Sequence, residues 1–132
     1  MESYRSKCVV LDTNMLLSVF EHPLDLEDEL RRVVGKCSVV VPGVVMDELE
    51  TLSTHGKGSA KRWAKAALTY VKQKGFRVEK DVEGEVDDVL VVLAKKLKCL
   101  VATNDKELIR KLRKERIPVV FLRENKKLVL FQ

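Results

Sequence analysis

The chain has 132 residues, enough for one well-cored domain and too few for two ordinary ones, so a single domain over 1–132 is expected. An apolar share of 45% beside 34% charged residues excludes the apolar-poor composition of disorder, and no apolar run nears the roughly 20 residues that span a bilayer. The net charge of +5 permits a polyanionic partner without requiring one.

The opening segment MESYRSK has no apolar leader core, so a cytoplasmic location away from membranes is expected. Cys8, Cys37 and Cys99 are odd in number, far apart, and set in or beside apolar runs without CxxC spacing; they read as reduced, buried structural thiols. Abundant Lys, Arg and Glu with few Asn and Gln fit a heat-adapted source.

Residues 8–11 read as a buried strand and 14–20 as a short helix that ends near Pro23. Asp25 can cap a second helix with Leu26, Leu30, Val33 and Val34 on one stripe and Gly35 at its end. A second strand is expected at 38–41, and a helix from Val44 to about Ser53. A Gly-containing basic loop follows, then a helix to Lys74 striped by Ala60, Trp63, Ala64, Ala67, Leu68 and Val71. A weak strand at 76–78, a helix at 85–98, a strand at 99–102, a basic helix at 106–116 and a strand at 118–122 complete the alternation. Residues 127–131 can pair back across a turn as a terminal hairpin. Short apolar runs alternating with helices imply βαβ units, hence an α/β fold with a mainly parallel sheet covered on both faces.

In such a sheet, ligands sit outside the carboxyl ends of the strands. Asp12 ends the first strand in VVLDTN, and Asp105 follows the fourth in VATND, where it can equally serve as the N-cap of the next helix. Helical spacing adds Glu48, three or four residues from Val44, Val45 and Leu52, and Asp87, aligned with Leu90, Val91 and Ala94. Asp88 is turned about 100° from Asp87 and is as readily explained by the helix dipole as by function. Four carboxylates at one sheet edge repel, which raises pKa values or recruits cations; oxygen ligands without His or Cys favour Mg²⁺ or Mn²⁺ over zinc. The chemistry this suits is attack of activated water on a phosphodiester. Thr13, Asn14, Thr103 and Asn104 are placed to orient carboxylates or water, although Thr and Asn are also common turn residues.

Taken in order, LDTN, VVPGVVMDELETL, VDDVLVVLA and VATNDKEL resemble the motifs of PIN domains, a family of metal-dependent ribonucleases that includes toxin nucleases and ribosomal-RNA-processing enzymes. The motifs span almost the whole chain and are specific together, nonspecific singly. The resemblance implies a three-layer α/β/α sandwich with a five-stranded parallel sheet ordered 3-2-1-4-5, and a metal-dependent endoribonuclease whose acids are Asp12, Glu48, Asp87 and Asp105, the same four that spacing selects. It makes Asp88 the second member of a DD pair seen in some branches and Thr103 a frequent helper. GKGSAKRWAK and IPVVFLRENKKLVL resemble archaeal relatives of the small-subunit processome endonuclease more than typical toxins, which implies precursor ribosomal RNA as substrate. Family members often dimerise, so a homodimer stays open. For RNA, Lys57, Lys61, Arg62 and Lys65, with Lys106, Arg110, Lys111, Arg113 and Lys114, could track the backbone, and solvated helix faces explain them as well. Trp63 belongs with the core stripe rather than with a base-stacking platform.

Three other readings stay in view. One is a toxin-type ribonuclease of the same family, and another a noncatalytic RNA-binding or ribosome-assembly module on the same fold. A phosphotransfer domain is disfavoured because haloacid-dehalogenase-type phosphatases need an acid two residues after the nucleophile, and here Asp12 is followed by Thr13 and Asn14.

Overall fold

In a computed structural model that describes residues 8–131, β1 (Cys8–Leu11) lies at the centre of a six-stranded sheet. Residues 1–7, read above for a leader, lie outside the described residues. Because successive side chains point to opposite faces, Val9 and Leu11 enter one core and Val10 the other, which is why β1 reads as an unbroken apolar run. Val39 and Val41 against Val40, and Leu100 and Ala102 against Val101, repeat the pattern.

On one side of β1 stand β2 (Ser38–Pro42) and β3 (Arg77–Glu79); on the other stand β4 (Leu100–Ala102), β5 (Val119–Arg123) and β6 (Lys127–Phe131). The order is β3-β2-β1-β4-β5-β6, with the first five parallel and β6 antiparallel to β5. The expected 3-2-1-4-5 order and terminal hairpin are both present. Glu124 and Asn125 take left-handed φ values of 53° and 58° in the hairpin turn, as a primed turn of matching twist requires.

The helices α1 (Thr13–Glu21), α2 (Leu26–Val34), α3 (Gly43–His55) and α4 (Ser59–Lys74) pack Met15, Leu16, Leu30, Leu49 and Ala64 on one face. The other face is covered by α5 (Val86–Leu97) and α6 (Lys106–Lys114) through Leu90, Leu93, Leu108 and Leu112. Two helix ends are set by local chemistry. Asp25 accepts from the Asp28 amide at 3.1 Å to start α2, and Gly75, at φ 67°, closes α4. Two side chains of α2 blunt the free edge of β6: Glu29 accepts from the Leu128 amide at 2.9 Å and Arg32 donates to the Leu128 carbonyl at 2.8 Å.

Two expectations change. Cys8 and Cys99 are joined in a disulfide rather than reduced; Cys37 alone is free. The reason is register: Val9 pairs with Leu100 in the β1–β4 ladder, so the residues just before them stand side by side with Cα atoms 4.7 Å apart. Trp63 is half-buried, and Ala64, Ala67 and Val71 carry the core face of α4 in its place.

Candidate active site

The strand order reverses at β1 and β4, so their carboxyl ends open a crevice between them. Asp12 leaves β1 there, serves as N-cap of α1 and is only 5% exposed. Its backbone amide still belongs to the ladder, donating to the Ala102 carbonyl at 3.1 Å. Oδ1 accepts from the Thr13 amide at 2.7 Å, and Oδ2 from the Thr103 hydroxyl at 2.6 Å. The Thr103 oxygen in turn accepts from the Asp105 amide at 3.1 Å, so one buried hydroxyl ties the two strand-end acids together.

Asp12, Glu48, Asp87 and Asp105 all line one cleft of about 310 Å³, with Thr13 and Asn14 beside them and Leu17, Leu52 and Val86 as an apolar flank. Burial sets the electrostatics first, and the neighbouring acids add to it. Burial pushes the Asp12 carboxyl up to about 6; the hydrogen bonds from Thr103 and Thr13 oppose the shift, and the charges of Asp87 and Glu48 add to it. The Asp87 carboxyl is raised as well, by burial first and then by the Asp105 charge, with Lys111 opposing and Asp88 and Glu48 adding. A larger hollow of about 830 Å³, lined by Gly43, Asp47, Glu50, Lys72 and Lys80, lies beside β3 and holds none of the four acids.

The donor set suits a hard divalent cation: carboxylate oxygens at one cleft, and an Asp12 charge that burial and its neighbours disfavour unless a cation meets it. Among the described residues, no three His, Cys, Asp or Glu side chains are already gathered into a finished coordination sphere. Glu48 is exposed and Asp87 half-buried, so both can turn toward a charge that balances them.

Several side chains serve differently from expectation. Glu48 shares the apolar spacing of α3 yet is exposed, because the stripe is open to the cleft at that point. Asp105 is the N-cap that its position allowed, its Oδ1 accepting from the Glu107 and Leu108 amides at 2.9 and 3.3 Å, and the residue also lines the cleft. Asp88 does not line the cleft and instead faces Lys111 of α6 at 3.9 Å. The Asn104 carboxamide orients no carboxylate; it donates to Ser18 Oγ at 3.2 Å and accepts from the Leu122 amide at 2.8 Å, clamping α1 to β5. Asn14 Oδ1 accepts from the Asn104 amide at 3.3 Å and adds to the same clamp. Sequence reasoning missed Ser18 and the flank of Leu17, Leu52 and Val86. The spacing was available for the flank, since Leu52 is one helical turn beyond Glu48 and Val86 adjoins Asp87.

None of the basic residues proposed for RNA lines the cleft. Lys57, Arg62, Lys65, Lys106 and Arg110 are exposed and Lys61 is half-buried. Lys106 opens α6 directly after Asp105, while Arg110 is engaged with Glu107 at 3.1 Å.

Comparison with known proteins bears on the family and the fold. The profile of the family described as PIN like domain matches residues 9–125. Ribonuclease VapC9 of Archaeoglobus fulgidus is 36% identical over 121 residues, covering 92% of this chain and 87% of the relative. Ribonuclease VapC4 of Methanocaldococcus jannaschii is 31% identical over 125 residues, covering 93% and 95%. Among solved structures, that of the PIN domain endonuclease Utp24 superposes with a TM-score of 0.78 at 28% identity, covering 93% of this chain and 90% of that one.

Proposed function

As the chain belongs to the PIN-like domain family, we propose that it is a metal-dependent endoribonuclease whose catalytic groups are Asp12, Glu48, Asp87 and Asp105. The observation that carries the proposal is that four acidic residues, from four separate segments, line one cleft at the carboxyl edge of the sheet. Two relatives named as ribonucleases support RNA as the substrate, and the likeness to a PIN endonuclease supports internal cleavage.

These four side chains would hold Mg²⁺ or Mn²⁺. A bound divalent ion would lower the pKa of water and balance the negative charge that develops on a phosphodiester. The chain's own part is positional. Thr103 and the Thr13 amide fix both Asp12 oxygens, so the most buried acid presents its remaining lone pairs in one orientation. Asp105 is fixed by its cap bonds, and Glu48 and Asp87 complete the set from α3 and α5. Lys106, at the start of α6 beside the cleft, can meet an RNA phosphate, with Lys57, Lys61, Arg62 and Lys65 on the α4 side extending the contact. Precursor ribosomal RNA is the substrate this reading favours, on the resemblance of the α4 insertion and terminal hairpin to processing-type members.

The test is Mn²⁺-dependent cleavage of a folded RNA by the wild type and by Asp12→Asn and Asp87→Asn. Loss of cleavage in both variants is the expected result, and unchanged cleavage in both would sink the proposal. Retention of RNA with no turnover under any divalent ion would favour the noncatalytic assembly module instead.

A further inference from the structure

Thr13 is only 6% exposed, and its Oγ1 is the one buried side-chain oxygen or nitrogen without a hydrogen-bond partner among the described residues. The polar groups of the adjoining acids are bonded to one another rather than to it. The Thr13 amide serves Asp12 Oδ1, the Thr103 hydroxyl serves Asp12 Oδ2, and the Asp105 amide serves Thr103. A buried hydroxyl left unpaired weakens a fold, and valine would fill the same space with a methyl group and no polar loss. The position is at the wall of the acid cleft, on the first residue of α1, directly after the most buried acid.

We propose that Thr13 is a positioning residue whose hydroxyl acquires its hydrogen-bond partner from an oxygen that enters the cleft with a divalent cation, so the side chain is unsatisfied in the empty protein and satisfied in the loaded one. This rests on the reading of the cleft as a cation site. Its consequence is a separation of stability from loading: the hydroxyl contributes nothing to the metal-free fold and contributes to retention of the ion and to placement of its bound water.

The experiment compares wild type, Thr13→Val and Thr13→Ser by thermal unfolding, with and without Mn²⁺ alone, and by single-turnover cleavage of an RNA oligonucleotide. Thr13→Val is expected to unfold at or above the wild-type temperature without metal, to show a smaller Mn²⁺-induced rise, and to bind Mn²⁺ about 10–100-fold more weakly, the range typical of outer groups around metal sites. Thr13→Ser is expected to restore the rise. A Thr13→Val protein with the full wild-type Mn²⁺ response overturns the inference, as does one that is destabilised without metal, because the hydroxyl would then have a structural partner. If the wild type itself shows no Mn²⁺ response, matching Asp12→Asn, the cation reading of the cleft fails and this inference with it; a normal wild-type response retained by Thr13→Val removes this inference alone.

Discussion

The Thr103 hydroxyl donates to Asp12 Oδ2 at 2.6 Å across a sequence separation of 91 residues. The same oxygen accepts from the Asp105 amide, so Thr103 carries the alignment of one strand-end acid with the other. Thr103→Val should therefore destabilise the protein by about 1–3 kcal/mol, the cost of leaving buried polar partners unmatched. It should also lower cleavage, whereas Thr103→Ser should keep most of both. Chemical denaturation beside initial cleavage rates would measure this, and a wild-type Thr103→Val would show that the bond is dispensable.

A second prediction concerns pH. Asp12 has a folded-state pKa of about 6 against an ordinary value of 3.8, so the native state binds the proton more tightly than the unfolded state. Its contribution to stability is therefore fully present below about 4 and is lost as pH rises toward 6 and beyond. The shift corresponds to roughly 3 kcal/mol at most. The metal-free protein should gain stability between pH 7 and pH 5 through this group, and Asp12→Asn should flatten that part of the profile. Urea midpoints in the presence of a chelator decide it; identical slopes for the two proteins would contradict it.

The disulfide between Cys8 and Cys99 joins adjacent strands of the central ladder. Removing it, by reductant or by Cys8→Ser with Cys99→Ser, should cost about 2–4 kcal/mol and lower the unfolding temperature. Thiol titration of the denatured, unreduced protein should find Cys37 alone, and three thiols after reduction. Three thiols without reduction would restore the all-reduced expectation.

The clasp from α2 to β6 provides a prediction away from the cleft. Glu29→Ala removes the acceptor for the Leu128 amide and the partner of Arg32, which it meets at 2.8 Å. A loss of about 1 kcal/mol is expected from the hydrogen bond, with cleavage per folded molecule unchanged. Calorimetry and a rate assay on the same preparation check both halves.

Much of the architecture was readable from apolar spacing. The bounds of β1 and the caps Asp25 and Gly35 follow from residue type alone, because strand burial and helix ends are local properties. The strand order came from the family motifs, since local chemistry does not record which strands are neighbours. The cysteine error has the same origin: Cys8 and Cys99 meet only once β1 and β4 are known to be adjacent. At the cleft, strand ends and helical spacing picked out four acids that all line it. They could not reveal that Glu48 would be exposed, that Asp88 would face Lys111, or that Asn104 would spend its carboxamide on Ser18 and the β5 backbone. Each of those depends on what a neighbouring element presents.

The most direct test is where a divalent ion binds. Crystals soaked in Mn²⁺ and measured for anomalous scattering should show a peak in the acid cleft, contacted by Asp12 and by at least one of Asp87, Asp105 and Glu48. A cleft without a peak at saturating Mn²⁺, or ions found only in the hollow beside Asp47 and Glu50, would contradict it.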